Sequence, residues 1–282
     1  MAIVPFGCEG ATRRVLDVNG LRLHALEAGH GNPATLLFLH GGSAHAHWFD
    51  RVMPAFVERF HALALDQRGH GGSEWPVPAA YGTDDFVADL SGVLDALGWE
   101  RTILVGHSMG GHNAMAFAAL HPARVRALVV GDSRPAIPPE RLRHMQERGG
   151  RAPRRHATAE AAVQTFRLIP RETVADPAFL AHLARAGLTE RDGGWVYRFD
   201  PAGNGTRHPR DVWPLLGRIT APTLLIRGEW SPILPPDIAE RMRAAIPRAA
   251  LVEIPGAHHH VTLDQPAAFV SAVAAFLDGL AD

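Results

Sequence analysis

Alternation between short apolar runs and helical repeats is the feature that most constrains the fold of this 282-residue chain. Six apolar runs predict buried parallel strands, at residues 34–40, 61–66, 101–106, 125–132, 222–228 and 250–256. Between them, Phe86, Leu90 and Leu94 form one of the apolar stripes that are typical of helices. An earlier pair of runs is joined through Asn19-Gly20, which predicts a hairpin. We therefore predict an α/β fold, with a mostly parallel central sheet and helices on both faces.

The alternation is interrupted once, between Ser133 and Pro214. Three helices are predicted in this segment, over residues 138–148, 157–168 and 176–186, and no central strand. The segment is too long for a plain loop, because structureless connections above about 15 residues are uncommon. We predict that residues 133–214 form a helical cap inserted after the sixth strand, and that residues 1–132 and 215–282 form the core domain. The cap would cover the carboxyl edge of the sheet, where ligands bind in open α/β folds.

Composition narrows the classes of function. A formal net charge of −1 offers no electrostatic reason to expect nucleic acid or an anionic membrane as a partner. No apolar run approaches the roughly 20 residues that cross a bilayer, and the N-terminus lacks the apolar core of a signal peptide. The single cysteine, Cys8, excludes an intramolecular disulfide and any multi-cysteine metal site. These features predict a soluble, cytoplasmic protein.

A G-x-S-x-G motif, Gly106 to Gly110, indicates the chemistry of the chain. It lies directly after a predicted strand and before an alanine-rich helix that is predicted from Asn113 to Leu120. In this context the serine occupies a strained turn that brings neighbouring backbone close, and the flanking glycines leave room for it. The motif therefore predicts Ser108 as a nucleophile.

A glycine-rich stretch, HGGS at residues 40–43, ends an earlier central strand. Acyl transfer needs backbone N–H donors aimed at the developing oxyanion, and glycine lets a substrate come close. The N–H groups of Gly42 and Met109 are the predicted oxyanion hole. The alternative is a glycine-rich turn without a catalytic role.

Three adjacent histidines, His258, His259 and His260, follow the last predicted strand. A general base at this place in the chain can fold back onto the elbow serine. A metal-binding tract is the rival interpretation, but consecutive side chains diverge and no carboxylate or cysteine cluster joins them. We expect a catalytic histidine and no metal ion. Four more histidines near the motifs are interpreted as polar or packed neighbours: His45, His47, His107 and His112.

The motifs together resemble those of α/β-hydrolase fold enzymes, over nearly the whole chain. HGG at 40–42, DQRGHGGS at 66–73, GHSMGG at 106–111 and PGAHH at 255–259 occur in the family's order. Similar chains read P-G-A-G-H before the last helix, so the resemblance implies that His259 is the catalytic histidine. It also implies that Asp66 and Arg68 stabilise a turn and take no part in catalysis.

The acid of the implied triad is not at its usual place. In similar chains it follows a strand-ending glycine by three residues, and here that position holds Ser231. Some members of the fold carry their acid at the end of the strand before the cap, where this chain has Asp132. We predict that Asp132 is the acid of the triad. The alternatives are that Glu229 is the acid, or that the chain has no acid.

The resemblance also implies a reaction class. A serine nucleophile excludes relatives that react through an aspartate, such as haloalkane dehalogenases and epoxide hydrolases. We expect a serine hydrolase of the carboxylesterase type that cleaves esters or lactones of small molecules through an acyl-enzyme, without a cofactor. Two alternatives come from other classes: a cofactor-free oxygenase or carbon–carbon bond hydrolase, and a ligand receptor with low turnover.

Overall fold

The computed structural model describes residue 7, residues 10–149 and residues 153–280; Cys8 lies outside these ranges. The strands are β1 (Thr12–Val18), β2 (Leu21–Ala28), β3 (Thr35–Leu39), β4 (His61–Leu65), β5 (Thr102–His107), β6 (Val125–Gly131), β7 (Leu188–Arg191), β8 (Gly194–Tyr197), β9 (Thr223–Gly228) and β10 (Ala249–Ile254). The α-helices are α1 (Thr83–Ala96), α2 (Met109–Leu120), α3 (Pro139–Gly149), α4 (Ala159–Thr165), α5 (Pro177–Ala186), α6 (Ala202–Gly205), α7 (Pro236–Ala245), α8 (Val261–Asp264) and α9 (Pro266–Asp278). Short 3-10 helices cover Ala46–Phe49, Met53–Ala55, Pro122–Arg124 and Trp213–Arg218. Among the described helices, none has the length and apolar character needed to cross a bilayer.

Eight strands form one sheet in the order β1-β2-β4-β3-β5-β6-β9-β10. Only β1–β2 and β2–β4 pair antiparallel, and every other pair in this sheet is parallel. The two faces carry separate cores, because neighbouring residues in a strand point to opposite sides. Leu37 packs in one core with Leu90 of α1, and Phe38 packs in the other with Phe269 of α9. The predicted fold, a mostly parallel sheet with helices on both faces, is confirmed.

The segment between β6 and β9 contributes no described strand to the eight-stranded sheet. It contains α3 to α6 and a separate hairpin, β7–β8. The helix predicted over 157–168 is shorter, since Phe166 leaves it with ψ 133° and its ring packs against Tyr197. The hairpin turn, Asp192-Gly193, has φ values of 51° and 72°, and Asn19-Gly20 has similar values of 53° and 77°. The Asp192-Gly193 pair is a sequence signal for a hairpin, but the β7–β8 hairpin was not predicted.

The turn after β4 is held by buried charges. The Asp66 carboxylate accepts hydrogen bonds from the backbone N–H of Ala46 at 2.6 Å and of Gly72 at 2.8 Å. Two guanidinium nitrogens of Arg68 each donate to the buried Asp89 of α1 at 2.6 Å. Arg68 thus joins the turn to α1, and Asp66 joins it to Ala46 and Gly72, contacts of the structural kind that the resemblance implied.

Candidate active site

Ser108 occupies the turn between β5 and α2, with φ 53° and ψ −117°. A non-glycine residue in this region is strained, at a cost of about 1–3 kcal/mol, and needs close packing to hold it. Helix α2 begins at Met109, so the prediction of a start at Asn113 was wrong. The two extra glycines of the first turn have low helix propensity, but the packing of the elbow against the sheet outweighs it.

Backbone crowding explains both glycines of the G-x-S-x-G motif. A Cβ on Gly106 would lie 2.4 Å from the carbonyl oxygen of Gly110. A Cβ on Gly110 would lie 2.1 Å from the carbonyl oxygen of Leu39 in β3. Neither position can hold a larger residue without moving the backbone, so the elbow geometry requires glycine at both places.

His259 is the one of the three adjacent histidines whose ring reaches the elbow serine. Its Nε2 lies 3.0 Å from the Ser108 Oγ, and the residue is 3% exposed. The ring of His258 turns outward and packs against the ring of Trp230. The Nε2 of His260 lies 2.9 Å from the carbonyl oxygen of Pro170. The histidine implied by the resemblance is therefore the one that the fold brings to Ser108.

Asp132 completes the arrangement from the end of β6, with φ 45° and no solvent exposure. Its Oδ1 accepts a hydrogen bond from the Nδ1 of His259 at 2.9 Å. The Ser231 hydroxyl, at the position where similar chains carry the acid, donates to the same oxygen at 2.6 Å. The backbone N–H of Gly228 donates to Oδ2 at 2.8 Å. Glu229 is exposed and accepts instead from a backbone N–H at 2.8 Å, so Asp132 is the carboxylate beside His259.

Burial sets the charges of the Asp132–His259 pair. It lowers the pKa of His259 well below the usual value, because the imidazolium would lose its water; His260 and Arg141 lower it further by charge repulsion. Burial raises the pKa of Asp132, while the hydrogen bond donated by Ser231 opposes that rise. At neutral pH His259 is therefore uncharged. When Asp132 is ionised, the Nδ1–H of His259 points at its carboxylate, which leaves Nε2 free to take the serine proton.

The predicted oxyanion donors lie beside the nucleophile. Met109 is the first residue of α2, and the first N–H groups of a helix have no partner within it. No described residue accepts a hydrogen bond from the N–H of Gly42 or Met109. Both residues line a cavity of about 380 Å³ that also reaches Ser108 and His259. The two N–H groups are thus available to a bound oxygen.

The cavity walls come from two parts of the chain. The sheet side contributes Gly42, Ser108 and His259, and the segment between β6 and β9 contributes apolar groups such as Ile137 and Met145. A concave, largely apolar space with a few polar groups is typical of small-molecule sites.

The histidines interpreted as neighbours make contacts of their own. The Nε2–H of His107 donates to the carbonyl oxygen of His259 at 2.9 Å, so it positions the backbone of the candidate base. Burial lowers the pKa of His107 to about 3 and of His112 to about 4, which keeps both rings neutral. His45 is buried with its Nε2 3.1 Å from a backbone carbonyl oxygen, and His47 pairs with a carboxylate at 2.9 Å. None of these four rings contacts the serine hydroxyl in the described structure.

Three groups of described side chains could each hold a metal ion, with ligand atoms within 4.8 Å of one another. They are His107, His259 and His260; Glu27, His30 and His61; and His47, Asp50 and His182. The sequence suggested only the three adjacent histidines as a metal site, and the fold brings His107 of β5 next to two of them, His259 and His260. In the first group His259 already contacts both Ser108 and Asp132. That the site needs no metal stays a prediction.

Comparison with known proteins places the chain in a family. Residues 34–161 match the sequence model of the α/β-hydrolase fold, and residues 202–280 match that of TAP-like proteins. A 2-(acetamidomethylene)succinate hydrolase of Mesorhizobium japonicum is 30% identical over 272 residues, 95% of each chain. The chain belongs to the α/β-hydrolase fold family. The membership predicted from the motifs is confirmed.

Two further likenesses cover nearly all of this α/β hydrolase. Esterase Rv0045c of Mycobacterium tuberculosis is 30% identical over 279 residues, 96% of this chain and 92% of the esterase. A solved structure of E-2-(acetamidomethylene)succinate hydrolase is 28% identical, with a TM-score of 0.85 over 95% of this chain and 100% of that one. These relatives support hydrolase activity in the present chain.

Two contributions to the site were not foreseen. Ser231 was predicted only as the place of a missing acid, although its unusual position could have suggested a hydroxyl that supports an acid elsewhere. Arg207, a buried residue that lines the cavity, was not predicted at all. No sequence signal marked this arginine, because it lies in a polar stretch between short elements.

Proposed function

We propose that this α/β hydrolase cleaves carboxylic ester bonds of small molecules through a covalent acyl-enzyme. One observation carries the proposal: the buried His259 ring lies between the Ser108 hydroxyl, 3.0 Å away, and the Asp132 carboxylate, 2.9 Å away. A nucleophile, a base and an orienting acid in hydrogen-bond contact are the requirements for serine-based acyl transfer.

In the proposed mechanism the Ser108 Oγ attacks the ester carbonyl carbon while the His259 Nε2 takes its proton. The carbonyl oxygen becomes an oxyanion that accepts hydrogen bonds from the N–H groups of Gly42 and Met109. The imidazolium, stabilised by Asp132, then protonates the leaving alcohol as the C–O bond breaks. Water attacks the acyl-enzyme with the same base, and the acid product and free serine are released.

The segment between β6 and β9 is proposed to act as a cap over this site. Its Ile137 and Met145 line the cavity opposite Ser108, which supports the role. It is tied to the core beside α1, where the Tyr81 hydroxyl donates to Asp200 at 2.6 Å. A cap in this place would exclude water from the acyl transfer and shape the pocket for a small substrate.

Hydrolysis of 4-nitrophenyl butyrate by wild type and Ser108→Ala tests the proposal. The variant should fold normally and lose essentially all activity, and a serine-directed phosphonate should label only the wild-type Ser108 by mass spectrometry. Ser271→Ala, an exposed serine on α9, is the matched control and should keep full activity. Substantial turnover by Ser108→Ala would refute the nucleophile.

The same substrate panel separates the alternatives. Turnover of aromatic or diketone substrates with esters left intact would favour the oxygenase or carbon–carbon hydrolase, and tight binding without turnover would favour a receptor. 2-(Acetamidomethylene)succinate belongs in the panel because a 30% identical relative is a hydrolase of that compound.

A further inference from the structure

Arg207 is a buried arginine without a partner in the described structure. Three described arginines are buried: Arg68, Arg207 and Arg227. Arg68 pairs with Asp89 and Arg227 with Glu253, whereas no described group accepts a hydrogen bond from the Arg207 guanidinium. Buried charges are ordinarily paired because an isolated charge loses its hydration without compensation. Arg207 therefore departs from the rule that the other two follow.

The guanidinium lies at the candidate active site. Arg207 is 5% exposed and lines the cavity that contains Ser108. Its Nη1 lies 3.7 Å from the point where a Cβ would stand on Gly42, so it borders the oxyanion loop. Burial lowers the pKa of Arg207 to about 10, which leaves the side chain charged at neutral pH. A bound substrate would thus meet a full positive charge with unused donors.

The rest of the cavity adds positive charge and no negative charge. Arg134, Arg141 and Arg154 also line it, and no aspartate or glutamate is among its described lining residues. Burial lowers the pKa of Arg141, and repulsion from the charge of Arg134 lowers it further. A cavity of this charge disfavours cationic ligands and favours anionic ones.

We infer that Arg207 binds an anionic group of the substrate, a carboxylate in the first place, while the scissile carbonyl lies at Ser108. The planar guanidinium suits a carboxylate because two parallel N–H donors match its two oxygens. The inference rests on the proposed serine hydrolase and narrows its substrates to acyl compounds that carry a negative charge. The carboxylate of a bound substrate would then pair with the Arg207 guanidinium, which has no described partner in the protein.

Matched ester pairs test the inference. Monomethyl succinate, glutarate and adipate differ from methyl butanoate, pentanoate and hexanoate only by a carboxylate in place of the terminal methyl group. The ratio of kcat/KM between the members of a pair should favour the charged ester in wild type. Arg207→Met should lower that ratio by roughly tenfold to a hundredfold, the range for a lost hydrogen bond to a charged group. Arg207→Lys should restore part of it, and Arg14→Met, an exposed site on β1, should leave it unchanged.

The outcomes separate this inference from the proposed function. An equal loss on charged and neutral esters in Arg207→Met would mean that the side chain acts on the reaction itself, and would overturn the inference while the hydrolase stands. If wild type prefers the neutral esters to the charged ones, the inference about Arg207 is likewise overturned, while the proposed hydrolase activity stands. If the protein hydrolyses none of these esters, the proposed function is refuted instead.

A direct binding measurement tests the inference even if the protein hydrolyses no ester. Titration calorimetry of Ser108→Ala with glutarate should show binding that Arg207→Met weakens by at least tenfold, and inorganic phosphate tests whether another anion serves equally. No glutarate binding to the parent variant would overturn the inference. Because no described residue pairs with the guanidinium, Arg207→Met should also melt no lower than wild type without ligand. A clearly lower Tm would reveal a structural partner and contradict the argument.

Discussion

Replacing Asp132 with asparagine tests the candidate triad at the member that stands in an unusual place. The carboxylate is fully buried and accepts three hydrogen bonds. Its Oδ1 accepts from the His259 Nδ1 at 2.9 Å and from the Ser231 hydroxyl at 2.6 Å. Its Oδ2 accepts from the Gly228 N–H at 2.8 Å. The substitution keeps the shape of the side chain but turns one of the two oxygens into a donor.

An asparagine cannot satisfy these donors together. If its oxygen faces His259, its NH₂ group faces the N–H of Gly228, and a buried donor without an acceptor costs about 1–3 kcal/mol. If its oxygen accepts from Gly228, its NH₂ group faces the Nδ1 of His259. The ring proton must then sit on Nε2, where it faces Ser108 and blocks proton transfer. The fixed backbone donor thus favours the inactive tautomer.

The expected loss is large in rate and small in stability. Asp132→Asn should lower kcat on a 4-nitrophenyl ester by roughly 10⁴, the loss known for a triad base in the wrong tautomer. That ratio corresponds to about 5 kcal/mol of transition-state stabilisation. Circular dichroism should show an intact fold, and Glu229→Gln, which removes an exposed carboxylate nearby, should keep wild-type activity. A kcat for Asp132→Asn within tenfold of wild type would refute the assignment.

Four further predictions concern neighbouring groups. His259→Ala should abolish ester hydrolysis and His258→Ala should retain most of it, so the reverse ranking in kcat would move the base by one residue. The reaction needs an ionised Asp132 and a neutral His259; because burial raises the pKa of Asp132 to about 7 and lowers that of His259 below 6.5, kcat/KM should fall on acidification with a midpoint near 7, and full activity at pH 6 contradicts this. Ser231→Ala removes a hydrogen bond to a carboxylate and should lower kcat roughly tenfold to a hundredfold, while unchanged kinetics would deny it that role. Arg68→Met leaves Asp89 buried without its partner and should lower the free energy of unfolding by about 3–5 kcal/mol in urea titration, and a change under 1 kcal/mol would contradict the pairing argument.

Much of the architecture could be predicted from the sequence because its causes are local. The run at 222–228 became β9, Thr223–Gly228, since a short apolar run bounded by proline and glycine has few alternatives to a buried strand. The same holds for one glycine of the elbow: Gly106 is crowded by Gly110 of the same motif, whereas Gly110 is crowded by Leu39 of the neighbouring strand β3. The start of α2 was misplaced because the glycines after Ser108 argue against a helix locally, and only packing on the sheet overrides them.

The contact between the candidate acid, Asp132, and His259, by contrast, depends on the tertiary structure. Asp132, Gly228 and His259 are far apart in the chain, and they meet because β6 and β9 are parallel neighbours whose carboxyl ends share one edge of the sheet. The sequence indicated two possible acids, Asp132 and Glu229, or none, and it could not show which carboxylate contacts His259. The hydrogen bond from Ser231 to Asp132 depends on how the loop after β9 folds. The position of Arg207 at the cavity, where no described residue pairs with it, depends on how the segment between β6 and β9 folds. The local sequence pattern specifies the individual strands and helices. The distances between their side chains follow from the packing of the whole sheet.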